Sequence, residues 1–179
     1  MQYTDVLTFW FDDLTPQQWF AGGDDIDHLI AERFAILHQQ AAHGELGSWR
    51  SDALGRLSEV IVLDQFSRNL YRGQALSFAC DGMALVLAQE AIAMGLDKEL
   101  SAQQRTFLYM PFMHSESLVI HEQAVALFQA NGNELNLDFE LRHKAIIERF
   151  GRYPHRNAIL GRESTPEELT FLQEPGSSF

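Results

Sequence analysis

What the chain has little of narrows its class before any motif is read. Lysine is nearly missing: of 13 basic residues 11 are arginine, leaving only Lys98 and Lys144. Cysteine is reduced to Cys80, which rules out an internal disulfide framework; within LSFACDGMALVLA it is expected to pack as a small hydrophobe. No apolar run approaches the ~20 residues of a bilayer-spanning helix, and no basic residue precedes Arg33 to start a secretory signal, so the expected compartment is the cytoplasm. Positive charge is also scarce. The formal net charge is -12, and eight Asp or Glu residues among the first fifty face only Arg33 and Arg50. A broad nucleic-acid surface and a membrane-binding face are therefore not expected. HExxH, GxSxG, P-loop and GxGxxG signatures are all missing. No cofactor is expected. Nor is a dedicated metal site, because His114 and His121 stand seven residues apart and His38 and His43 fall on different helix faces.

What is present is helical periodicity. A length of 179 residues suits one domain, spanning 1–179, with one core. Apolar residues recur at three and four spacing almost throughout, which predicts an all-α domain of antiparallel helices. The expected helices are 4–11, 25–43, 52–69, 75–94, 102–112, 116–130, 138–150, 155–160 and 166–172. Gly44, Gly73, Gly95, Gly132 and Gly151 each follow a periodic run, where a left-handed C-cap favours glycine. Ser101 with Gln104, and Thr165 with Glu168, have capping-box spacing, with Pro166 at the first helical position. The aromatic group Phe9, Trp10, Phe11, Trp19 and Phe20 is expected to anchor the first helix in the core.

Polar residues on apolar faces carry the functional information. The inward stripe Leu54, Leu57, Ile61 arrives at Asp64, with Arg68 one turn later as its natural partner and Gln65 and Asn69 beside them. Phe139, Ile146, Ile147 and Phe150 define another apolar face that contains His143, and His121 lies between Leu118 and Val125. Single histidines on such faces are usually satisfied core residues; two of them point weakly to a shared polar pocket. Arg72 and Arg149, next to helix-ending glycines, are explained as cations complementing helix C-termini. That explanation does not reach Asn69, Arg152, Arg156 or Asn157, which lie near Tyr153, His155 and Pro154. In YMPFMHSES, Pro111 is expected to end or kink its helix and to leave His114, Ser115 and Glu116 at the entrance of the next, where free backbone N–H groups favour anions.

The segments LDQFSRNLYRG, FLYMPFMHSES, RFGRYPHRNAILGRESTPEEL and FLQEPGSSF together resemble the DUF924 family over essentially the whole chain. The resemblance implies a tetratricopeptide-like helical fold and carries over no catalytic residue. The family pattern usually reads DQFPRN where this chain has Ser67; Asp64, Arg68, Asn69, His114, Glu116, His155, Arg156 and Asn157 match it.

Three readings stand side by side. In the first, Asp64, Arg68, Asn69, Arg72, Arg152, Arg156 and Asn157 bind an anionic small molecule or an acidic peptide end. In the second, His114, Glu116 or His155 serves acid–base chemistry in a metal-independent hydrolase or lyase. In the third, the polar residues form a buried network that orders the bundle, and the working surface is a homo-oligomer or partner interface. The tail 173–179 is expected to dock through Phe179. Arginine excess fits the first reading, since a planar fork suits carboxylate or phosphate, although a G- and C-rich genome would produce the same excess.

Overall fold

The computed structural model describes residues 1–20 and 23–179, and among these no strand occurs. The chain is all-α, with packed helix pairs as in tetratricopeptide-like folds. Two compact units emerge: Met1–Arg72 with Leu76–Pro111, and Gly73–Ala75 with Phe112–Phe179.

In the first unit, α1 (Tyr3–Leu7) runs into a π-helical turn at Thr8–Asp13, and α2 (Pro16–Phe20), which the periodicity does not predict, follows. The remaining helices are α3 (Asp24–Ala42), α4 (Ala53–Ile61), α5 (Ser67–Leu70), α6 (Asp81–Ala93) and α7 (Ala102–Met113), of which the last two residues are counted with the second unit. The expected helix 52–69 is one run in outline, but its middle, Val62–Phe66, widens into a π-helical segment between α4 and α5. Such single-turn widenings often accompany function. Ile61 through Ser67 are all buried, so this stretch is enclosed on every side rather than on one stripe, and Leu54, expected inward, lies at the surface.

Phe9, Trp10, Phe34, Phe66 and Phe107 form the aromatic core, with Phe34 and Phe66 centroids 4.9 Å apart and Trp10 and Phe107 at 5.5 Å. Phe9 and Trp10 are the anchors; Phe20, expected beside them, is exposed. Gly55 is required by close approach: a Cβ there would lie 1.9 Å from the Trp49 carbonyl oxygen. The stretch Ala75–Ala93 is apolar enough, and counted whole long enough, for a membrane crossing, and 28% of its most apolar 18 residues are buried. Its regular part, α6, has 13 residues and spans only about 20 Å.

Pro111 does not end α7, which continues to Met113. Proline removes one backbone donor, and so near the helix end that loss touches a single turn, while its buried neighbours Phe107, Leu108 and Phe112 hold the path.

In the second unit, α8 (Leu118–Asn131) and α9 (Glu134–Phe150) are joined by two residues and lie antiparallel. Gly132 adopts the left-handed conformation at this turn (φ 80°). The Asn133 side chain caps α9 by accepting from the Asn136 N–H at 3.1 Å, so α9 begins four residues before the expected 138. Beyond Gly151, the expected helix 155–160 is a short 3-10 turn, Pro154–Arg156, followed by turns. α10 (Pro166–Phe171) starts with the Thr165/Glu168 capping box. Ile146, Ile147, Tyr153 and Phe171 form the unit's apolar core. Phe139, expected among them, is exposed; the buried stripe of α9 is instead Glu140, His143, Ile146 and Ile147, because partners await the two polar members.

Candidate functional site

The sequence-predicted residues divide between the units. Asp64, Arg68, Asn69 and Arg72 lie in the first; His114, Glu116, Arg152, His155, Arg156 and Asn157 lie in the second.

In the first unit the arginines meet carboxylates two bonds at a time. The Arg68 fork donates to both oxygens of Asp81 at 2.9 and 3.1 Å and reaches Asp64 Oδ1 at 3.2 Å, as its spacing predicts. Asp64 is wholly buried, and its Oδ2 accepts from the Gln65 amide at 2.6 Å. Arg72 grips Asp27 at 2.6 and 2.8 Å, and Asn69 donates to the same carboxylate at 2.8 Å. Arg72 is therefore held by a carboxylate on α3 rather than by the helix C-terminus that its position suggests. Burial pushes Asp27 up, but the Arg72 and Asn69 hydrogen bonds outweigh it and hold the carboxyl below its usual value. Arg50 and Glu59 form another two-bond pair, at 2.7 and 2.6 Å.

Ser67, where the family pattern has proline, donates to the Leu63 carbonyl at 2.5 Å, as serine and threonine hydroxyls do to i−4 carbonyls within helices. With its single proton committed, it can only accept from His38 Nε2 at 2.7 Å. This is the reverse of what an activated nucleophile needs. Cys80 is buried, which pushes its thiol up and makes it inert.

The second unit contains two more such pairs and one different arrangement. Glu116 accepts from Arg162 at 2.7 and 2.9 Å and from the Tyr153 N–H at 2.7 Å. Burial alone would raise its carboxyl, but these bonds and the nearby guanidinium charges hold it below the ordinary range. Glu116 thus stays ionised at neutral pH, which suits a strut and not a general acid. Arg152 meets Glu168 at 2.6 and 2.8 Å and holds that carboxyl down to about 2. Asn157, wholly buried, donates to Ser164 Oγ at 3.0 Å and accepts from Arg162 Nε at 3.0 Å, so it braces the turns after the Pro154–Arg156 segment.

The different arrangement surrounds Tyr153, which has no solvent exposure and donates its hydroxyl to the Met113 carbonyl at 2.6 Å. Ring centroids of His155, His143 and His121 stand 5.7, 5.8 and 6.2 Å from it, and the Arg156 guanidinium lies 4.6 Å over its face. Arg156 also donates to the His114 carbonyl at 3.0 Å. His121 and Glu140, both fully buried, are linked at 2.7 Å, while His121 Nε2 reaches the Ser115 carbonyl at 2.8 Å. A carbonyl can only accept, so Nε2 carries a hydrogen, and the Nδ1–Glu140 contact shares the remaining proton. Burial raises Glu140 against the pull of His121.

His143 is bonded through Nδ1 to the Phe139 carbonyl at 2.7 Å, but burial, reinforced by the charges of His114, His121 and His155, drives it down to about 3. At neutral pH this imidazole is uncharged. The chain's Phe179 ring rests on the same group, its centroid 3.7 Å from His143, 4.9 Å from His155 and 5.4 Å from Tyr153. Among the described residues no cluster of three or more His, Cys, Asp or Glu could hold a metal ion.

The pairing partners Asp27, Asp81, Glu140 and Arg162 escape sequence reasoning because each lies beyond one helical turn of its partner along the chain, from 13 residues for Asp81 to 46 for Arg162, and Glu140 also hides behind an expected apolar face. His121 and His143, noted on apolar faces, do converge.

A family model described as "Bacterial protein of unknown function (DUF924)" matches residues 6–176. A solved structure of a protein of unknown function from Agrobacterium tumefaciens is 40% identical, covers 96% of each chain and superposes with a TM-score of 0.91. No curated protein matches.

Proposed function

We propose a function from one premise: the chain belongs to the DUF924 family, whose description assigns no role. The protein is a binding module that takes a compact anionic small molecule, or the acidic end of a peptide, at the imidazole group around Tyr153. Arg156, His114 and His155 meet the anion. The arginines Arg68, Arg72 and Arg152, together with Asp64, Asn69 and Asn157, act as framework, because they sit in internal bidentate pairs and their bracing bonds.

The observation that carries this reading is the convergence of three imidazoles and a guanidinium on one buried phenol ring. Elsewhere the chain stabilises buried charge by pairing it with carboxylates. Around Tyr153, beside the paired His121 and Glu140, it gathers further imidazoles whose charges oppose that of His143, an arrangement that suits an anion-binding group. The catalytic reading fares less well. The imidazole–carboxylate pair His121–Glu140 is sealed from solvent, and Glu116 is taken up by Arg162.

The test is a thermal-shift series with inorganic phosphate, acetate and a short acidic peptide. At least one of them should stabilise the protein, and the shift should vanish in His155→Ala and Arg156→Lys but persist in Arg72→Ala. Uniform absence of stabilisation across the series would remove the reading.

A further inference from the structure

We infer that the Phe179 ring occupies an aromatic subsite of the Tyr153 group, so that the ligand is a planar aromatic acid and the 173–179 segment competes with it. The inference rests on the binding reading above and adds the ligand's class and its regulation. Three rings form the seat: His143 from α9, and Tyr153 and His155 from the loop beyond it. They meet Phe179 at interplanar angles of 44°, 86° and 72°, and the two latter contacts, with Tyr153 and His155, have the edge-on geometry that aromatic rings prefer. His143 and Tyr153 are buried, whereas Phe179 as a whole residue is 55% exposed. The floor of the seat is therefore dry while its occupant is half in water, which suits an occupant that a ligand can displace.

The rest of the tail limits what must move. Ser177 is buried, its N–H donates to the Glu174 carbonyl at 3.3 Å and its hydroxyl to the Leu172 carbonyl at 3.2 Å. The segment is thus anchored up to Ser177, and the part that yields begins at Ser178. The Arg156 guanidinium, 4.6 Å from the Tyr153 ring, sets the second half of the ligand: a carboxylate or phosphate attached close to the ring.

Isothermal titration of the full chain with benzoate and with acetate separates the two claims. Phe179→Ala should raise benzoate affinity on the order of tenfold, the scale of one aromatic contact, and leave acetate affinity unchanged. In the same variant the His143 ring-proton resonances should lose the ring-current shift from Phe179, and benzoate should restore a shift. If acetate or phosphate binds both proteins but benzoate gains nothing from the substitution, the aromatic subsite is refuted and the anion site stands. If neither benzoate, acetate nor phosphate binds either protein, the binding reading falls and takes this inference with it.

Discussion

In the first unit Arg50, Arg68 and Arg72 each meet a carboxylate with two hydrogen bonds, whereas in the second Tyr153 is ringed by His121, His143 and His155 with Arg156 over its face. The two regions use opposite means of burying polarity. Carboxylate–guanidinium pairs cancel charge and fix geometry within the chain, and once made they have little left to offer a ligand. Around Tyr153 one imidazole, His121, is paired with the Glu140 carboxylate, while burial keeps another, His143, neutral. The proposed function gives architecture to the first cluster and recognition to the second.

The sharpest way to break that comparison is to remove the most deeply buried acid of the first region. Asp64→Ala takes one carboxylate contact from Arg68, which keeps Asp81, and leaves the buried Gln65 amide without its acceptor, and should cost about 1 to 3 kcal/mol in urea unfolding. A variant as stable as the parent would show that the first network is not structural. Gly55→Ala, in the same unit, forces a Cβ against the Trp49 carbonyl and should cost about 1 to 3 kcal/mol.

The second region should announce itself through pH. His143 lies at about 3 in the folded chain and 6.5 when exposed, so on acidification the unfolded chain takes up its proton first. The stability due to the neutral imidazole is complete above about 6.5 and declines by about 1.4 kcal/mol per pH unit below it, roughly 2 kcal/mol at pH 5. The loss continues until the pH passes the folded value. His143→Asn, which keeps a donor for the Phe139 carbonyl, should flatten stability measured between pH 7 and pH 5. Asp27, by contrast, is lowered below 3.8, so its contribution stands above that value and is lost only as the pH falls through the folded value. The smallest effect belongs to the exposed pair: Arg72→Ala should cost about 0.2 to 1 kcal/mol, read from the same denaturation curves.

Much of the fold was legible because its signals are local. The Asp64–Arg68 pair is a four-residue relation on one helix, and the capping boxes at Ser101/Gln104 and Thr165/Glu168 are three-residue relations; all three form. The site was legible only in its ingredients. Arg72 and Asp27 are 45 residues apart, Arg162 and Glu116 are 46 apart, and no periodicity links them. The arginine excess left planar-fork recognition and a compositional origin both open, and five of the forks meet carboxylates of the chain itself. The π-helical segment at Val62–Phe66 has no sequence signal of its own, since it widens a run whose residues all favour helix. Phe139 misled because an aromatic at helical spacing resembles core, while the buried position beside it belongs to Glu140, whose partner His121 sits on another helix.

The central claim, that the group around Tyr153 is where this protein meets its ligand, is tested most directly by histidine-selective NMR. The protein, labelled at imidazole carbons, is titrated with benzoate at constant pH. The signals of His143 and His155 should move together and saturate, while those of the surface residues His28 and His43 stay in place. Motion of all histidines alike, or of none, would contradict the claim.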